Sequence, residues 1–235
     1  GGELEVNMEY KKINAAEGGW VAACSFSPDQ RKIFINISKV KGKSGHARLV
    51  RHFSMIEIDW DDAGVPLAAI KEHVLDRNLT RLTMCLSKSV YTSHLAKRIK
   101  LLALESGQKV DVELVDLESK PMHRYEDVRH CSNHSLGIWY LLQAIHEGRH
   151  ELDGHFKTVT EAVKTQIEYD GIDKWNYVAT PSEGAARFDT HCLLHLTSYR
   201  PSFTNPTLFG QIADAVKSWF QPKYVYARSK SHGAS

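Results

Sequence analysis

The chain has only four cysteines, Cys24, Cys85, Cys131 and Cys192, and no two of them form a CxxC pair. Neither a zinc knuckle nor a disulfide framework is expected from such spacing, and the thiols read as those of a reducing compartment. Net charge is also lacking, since 30 Lys and Arg stand against 28 Asp and Glu for a balance of +2. Nothing in that balance demands nucleic acid as a partner, and any basic site has to be local. Long apolar runs are missing: a stretch such as Ile138–Ile145 is far too short to span a membrane, and no signal-peptide pattern opens the chain. Internal repeats and low-complexity tracts are missing too.

What is present is an ordinary globular composition, 42% hydrophobic and 25% charged over 235 residues. It leads us to expect a single domain over residues 8–228, with a core at 30–150 and a helix and strand region at 151–228. Gly1–Asn7, ahead of Met8, read as an expression remnant or a truncation junction. Apolar and β-branched runs predict strands at Ile33–Ile37, Phe53–Trp60, Leu82–Leu86 and Val110–Leu117. Helical spacing predicts helices at Val65–Leu75, Tyr91–Glu105, Ser132–His150 and Thr158–Ile167. Phe188–Thr197 reads as a last core strand. Asn205 and Pro206 read as the cap and first residue of a helix reaching Phe220. The expected fold class is α/β or α+β, a mixed sheet with flanking helices.

Chemistry is suggested by His52, on a strand, and by Cys131, at the head of an apolar helix. Unpaired backbone N–H groups and the helix dipole lower the pKa of a cysteine so placed, and a histidine base would complete a thiol nucleophile. His52 is one candidate base, and His130, His134 and His191 are others.

The strand Arg31–Ile37 is followed by His52-Phe53-Ser54-Met55-Ile56-Glu57-Ile58-Asp59, strands at Leu82–Leu86 and Val110–Leu117, and Cys131-Ser132-Asn133-His134-Ser135-Leu136. This layout resembles the YopJ family of bacterial effectors, within the papain-like/Ulp1-like and adenovirus-type cysteine protease fold group, whose catalytic order is His, acid, Cys. Downstream, Leu194–Arg200 resembles a Lys-His-Thr-Gln-Ser stretch of that family. The resemblance implies transfer of an acetyl group from acetyl-coenzyme A through a Cys131 acyl-enzyme to Ser, Thr or Lys of a host protein, with His52 as general base. It further implies inositol hexakisphosphate as activator, His195 and Arg200 as contributors to an anionic activator or coenzyme site, and a virulence role in the host cytoplasm.

The sequence departs from that family at two points. No carboxylate stands in Met84-Cys85-Leu86-Ser87, where the family has its orienting acid, and Tyr125 stands where it has an oxyanion glutamine. Loss of the orienting acid costs a Ser-His-Asp site about 10⁴-fold in rate. Asp59 and Asp61 are the substitutes the sequence offers for it, with Asp59 taken as the orienting acid. A cysteine protease acting on a ubiquitin-like or peptide substrate, and a degenerate fold kept as a binding module, are the companion readings.

His146-Glu147-Gly148-Arg149-His150 matches the HExxH zinc metallopeptidase motif on a predicted helix. With 13 histidines in the chain, chance matches are expected, and solvated histidines at a helix end explain this one equally well. His52-Phe53-Ser54 and His195-Leu196-Thr197 match the paired HxS/T signature of 2H phosphoesterases on the same footing. Lys97, Arg98 and Lys100 read as the wet face of a helix, and without interleaved aromatic residues they give no expectation of nucleic-acid binding.

Overall fold

The computed structural model describes residues 18–29, 31–42, 48–121, 132–169, 175–178 and 184–197. Three antiparallel strands come first: β1 (Gly19–Phe26), β2 (Lys32–Lys41) and β3 (Leu49–Asp59). Helix α1 (Val65–His73) follows, with Pro66 in its first turn, where the missing N–H has no intrahelical partner to lose. The next three elements are β4 (Leu82–Ser87), α2 (Val90–Glu105) and β5 (Val110–Val115). A reciprocal Ser89–Thr92 box caps α2. The five strands lie in the order β3-β2-β1-β4-β5, with β4 and β5 parallel to β1.

Because β1 is central, its side chains are buried on both faces of the sheet. Ala22, Cys24, Ile33, Ile35, Ile37, Met84 and Leu86 pack against Ile70 of α1 and Leu95 and Ile99 of α2. Each fully buried isoleucine contributes about 1.5–3 kcal/mol of burial free energy. On the other face Val21, Ala23, Val40, Val50 and Cys85 meet Leu193 and Leu194 of α5 (Ala186–Leu196). Between β5 and α5 in the chain come α3 (Asn133–His146), α4 (Phe156–Lys164) and an antiparallel ribbon, β6 (Gln166–Tyr169) with β7 (Trp175–Val178). α3 crosses α5 closely at Gly137, where an added Cβ would stand 2.8 Å from Leu196 Cδ1 and 3.3 Å from Cys192 Cβ. Among the described residues no helix is long and apolar enough to cross a membrane.

Several expectations need correction. β1 was not foreseen, since Ala22-Ala23-Cys24 has little β-propensity and owes its strand state to its central place. Phe188–Thr197 is mostly helix α5, buried along nearly its whole length, and burial all round removed the one-sided pattern that would have identified it. The HExxH match is not on one helix: α3 stops at His146, Gly148 takes φ +67, and His150 lies beyond in a bridge with Val50. The papain-like/Ulp1-like architecture is not formed. A three-strand antiparallel meander at the start of the chain, with two parallel strands added on its far side, replaces it and leaves the His52 strand at the sheet edge. The proposed helix at 206–220 lies outside the described residues.

Candidate functional site

A single irregularity in the β2–β3 ladder organises the most polar part of the interior. Ile37 pairs with Ser54, but Ser38 pairs with His52, so Phe53 is an extra residue in a β-bulge. Side chains alternate faces along a strand, and one inserted residue reverses that alternation. His52 therefore lies on the α5 side, beside Asn36, while Phe53 turns to the opposite face.

Asn36 Oδ1 accepts from Ser38 Oγ at 2.8 Å and lies 3.2 Å from His52 Nδ1. Its Nδ2 donates to Thr190 Oγ1 at 3.2 Å and faces His191 Nδ1 at 3.3 Å. His52 thus carries its proton on Nδ1 and is held by an amide. Burial, then the neighbouring His191, pushes its pKa down to about 4. Asp59 is elsewhere, its side chain 80% exposed and 3.4 Å from Lys32 Nζ.

Beyond Asn36 three more imidazoles form a buried ladder. His191 Nε2 faces Asp153 Oδ1 at 3.5 Å, His150 Nε2 lies 2.9 Å from His191 Nδ1, and His195 Nε2 lies 2.8 Å from His150 Nδ1. His191 Nε2 and Asp153 Oδ1 face each other without a formed hydrogen bond, but the negative charge favours the proton on Nε2, so His191 Nδ1 accepts from His150 Nε2–H, whose Nδ1 accepts from His195 Nε2–H. His195 Nδ1 is left a buried lone pair with no partner among the described residues. Burial leads the causes that push all three histidines below their ordinary pKa. His150 uses both ring nitrogens on different neighbours, so the ladder is not a coordination sphere.

Arg187, at the start of α5, anchors the lower end of this cluster. Its Nη2 lies 2.9 Å from Asp153, its Nε donates to Asp153 and Thr158 at 3.0 Å, and its Nη1 lies 3.3 Å from Glu57. Burial pushes the Asp153 carboxyl up, but the polar contacts of His191 and Thr158 and the charges of His191 and Arg187 outweigh it and hold the group well below its usual range. At the other end Arg48 donates to the carbonyls of Leu194 and Thr197, satisfying the last turn of α5.

The nucleophile and activator residues fare differently from one another. Cys131 and Arg200 lie outside the described residues. His195 is 1% exposed, so it is shut away from any acetyl-coenzyme A or inositol hexakisphosphate at the surface. His134 pairs with Asp189 at 2.6 Å, well removed in the chain from the His52 cluster. Cys24, Cys85 and Cys192 are buried thiols pushed up by burial, Cys24 to about 12, which keeps them protonated and inert.

On the outer face Phe53 is 62% exposed, and its ring meets Trp20 edge to face at 5.2 Å. Lys39, opposite both Trp20 and Arg51 in the ladders, holds its Nζ 5.1 Å from the Trp20 ring centre. Lys41 is two residues farther along β2, on the same face. Three strands thus bring two aromatic rings and three cations together. Sequence reasoning missed this because Trp20, the pair Lys39 and Lys41, and the pair Arg51 and Phe53 come from three separate stretches of the chain.

No protein-family model and no curated protein matches the chain. Solved structures similar to the chain include the following two. A RuvC from Thermus thermophilus has 13% identity and a TM-score of 0.35, with 74% of this chain and 91% of that chain covered. The large terminase nuclease from thermophilic phage G20c, solved with bound magnesium, has 9% identity and a TM-score of 0.44, with 81% and 91% covered. The strand order β3-β2-β1-β4-β5, with β2 alone running against its two neighbours, is one that ribonuclease H-like domains also have. It replaces the YopJ-type acyltransferase assignment.

A magnesium centre in this fold class has to be tested against the residues present. Ligands of open α/β sheets bind outside the carboxyl ends of the strands, and magnesium needs carboxylate oxygens there. β1 ends in Ser25-Phe26-Ser27 and β4 in Ser87-Lys88. Asp29 is occupied by Ser27 Oγ and the Arg31 N–H, and Asp116 lies 3.7 Å from Lys88 Nζ and accepts from the Glu118 N–H. Among the described residues no group of three His, Cys, Asp or Glu side chains is placed to hold a metal ion. The described residues do not fit such a centre.

Proposed function

We propose that this domain binds single-stranded nucleic acid on the face formed by Trp20, Lys39, Lys41, Arg51 and Phe53, without a metal-carboxylate cutting centre. The observation that supports it is the exposed Phe53–Trp20 pair with cations of β2 and β3 beside it. Unstacked bases present a π face to aromatic rings, each stack contributing about 1–3 kcal/mol, while Lys and Arg neutralise the backbone phosphates. Duplex bases are stacked on one another and offer no free face to Phe53, so single strands are favoured. The expectation of no nucleic-acid partner is thereby withdrawn, because interleaving absent along the chain arises across three strands.

The test is fluorescence anisotropy of a labelled oligonucleotide, single-stranded and duplex, at low salt. Single-strand binding weakened about tenfold or more by Phe53→Ala is the expected result. Binding that Phe53→Ala and Arg51→Ala leave unchanged overturns the reading. The oligonucleotide is expected to remain intact with magnesium or manganese added, and cleavage that requires the metal overturns the second part.

A further inference from the structure

The imidazole ladder under α5 has a property independent of the outer face. As assembled it holds three protons on six ring nitrogens, with one bare lone pair, His195 Nδ1. A fourth proton can spread its charge over any ring by shifting the tautomers. Wherever the charge settles with both imidazole hydrogen bonds kept, His195 Nδ1 must bear a hydrogen that is buried and has no acceptor among the described residues. Otherwise one of those two hydrogen bonds breaks. A charge on His191 also turns its Nδ1 into a donor facing the donor Asn36 Nδ2 at 3.3 Å.

The surroundings give that charge little compensation. On α5 itself stand Arg187 and Asp189, the latter already paired with His134 of α3. β2 offers the neutral Asn36 and Ser38, and β3 offers His52 and Glu57, which lies within salt-bridge reach of Lys32, Lys157 and Arg187. Arg48 and Arg149 approach from the segments flanking β3 and His150, with Arg149 paired to Glu147. α4 contributes Lys157, Thr158 and Glu161, and Glu161 receives the Phe188 N–H at 2.7 Å. β4 contributes the thiol of Cys85 and β5 contributes Glu113, bonded to Thr197. Asp153, shared with Arg187, is the one carboxylate touching the ladder among the described residues.

We propose that the His191–His150–His195 ladder is an acid-sensitive latch, holding α5 on the sheet while it carries three protons and releasing the helix when a fourth arrives. His191 and His195 sit on α5 and His150 on the segment along the edge of β3, so both ladder hydrogen bonds join the helix to its neighbour. Charging the ladder strains the joints that hold α5 down.

Amide hydrogen exchange tests it, with protection corrected for intrinsic rates and compared between pH 7.5 and pH 5. In the wild type α5 amides are expected to lose at least tenfold in protection relative to amides of β1 and β4, since opening coupled to one proton changes tenfold per pH unit. Unchanged α5 protection overturns the latch, and so does an equal loss throughout the sheet, which would be global acid unfolding. His195→Gln keeps a donor towards His150 Nδ1 and can turn its amide oxygen over to accept from a charged ring. Its α5 loss between the two pH values is expected to shrink to threefold or less, and an undiminished loss in a folded variant contradicts the proposal.

Discussion

Ser38 faces His52 across the β2–β3 ladder, while Phe53, the next residue, has no partner there. That one-residue bulge sends the imidazole inward to Asn36 and the phenyl ring outward to Trp20. The inward His52–Asn36 contact and the exposed aromatic pair are two results of the same local register shift.

Asn36 joins Ser38, His52, Thr190 and His191. Asn36→Leu keeps the branched side-chain shape but leaves several buried polar atoms without partners, each costing about 1–3 kcal/mol. Urea unfolding is expected to give a loss of about 3 kcal/mol. A loss below 1 kcal/mol would mean that these contacts do not stabilise the fold.

Arg187→Met should cost about 3–5 kcal/mol, because it strands the carboxylate of Asp153, whose side chain is 2% exposed. Arg187→Met combined with Asp153→Asn should recover part of that loss. A double-mutant cycle without coupling would contradict the pairing.

Gly137→Ala sets helix propensity against packing. Alanine would favour α3 by about 1 kcal/mol, but its Cβ would stand 2.8 Å from Leu196 Cδ1. We expect net destabilisation of about 1 kcal/mol in thermal or urea unfolding, and a gain in stability would show that α3 and α5 are not so closely packed.

Folded-state pKa values below the unfolded value make His150, His191 and His195 stabilising above about pH 6.5, with that contribution lost as pH falls towards their depressed values. Glu161, pushed up to about 7 by burial and then by Asp189, acts in the opposite direction between its unfolded value and 7. With His52 also held below its ordinary value, four histidines take up protons on unfolding against one carboxylate that releases one, so unfolding free energy should fall as pH drops below about 6. Denaturant titrations at successive pH values measure this slope, and a flat profile between pH 6.5 and 5 would contradict neutral burial of the ladder.

Much of the frame was legible in the sequence. β2 and β4 show as short runs rich in apolar and β-branched residues, β5 shows as alternation, and α1 and α2 show as helical spacing, and Ile33–Ile37, Leu82–Leu86 and Tyr91–Glu105 lie within the observed elements. β1 was not legible, because Ala22-Ala23-Cys24 has little β-propensity, and α5 was not, because burial all round erases its one-sided pattern. His52 stood out, but its partner Asn36 did not: an amide two strand positions from Ser38 has no sequence signature, and the bulge that brings them together depends on pairing. The reading of His150 failed for a related reason, since an exposed helix end and a buried bridge residue can follow the same apolar run. His191 and His195, a helical turn apart, were the one visible hint of the ladder.

Phosphate contacts on the outer face predict a salt dependence. Neutralisation of three phosphates by Lys39, Lys41 and Arg51 gives log K against log salt a slope of about −2 for a single strand, and Arg51→Ala should lessen it by about 0.7. A slope near zero would remove the electrostatic part of the proposal.

Trp20 fluorescence tests the central claim most directly, because the ring lies in the proposed binding face. Titration with a short oligothymidylate should give saturable quenching that disappears in Trp20→Phe and weakens at least tenfold in Phe53→Ala. Quenching that persists undiminished in Trp20→Phe, or no quenching in the wild type at low salt, would contradict the account.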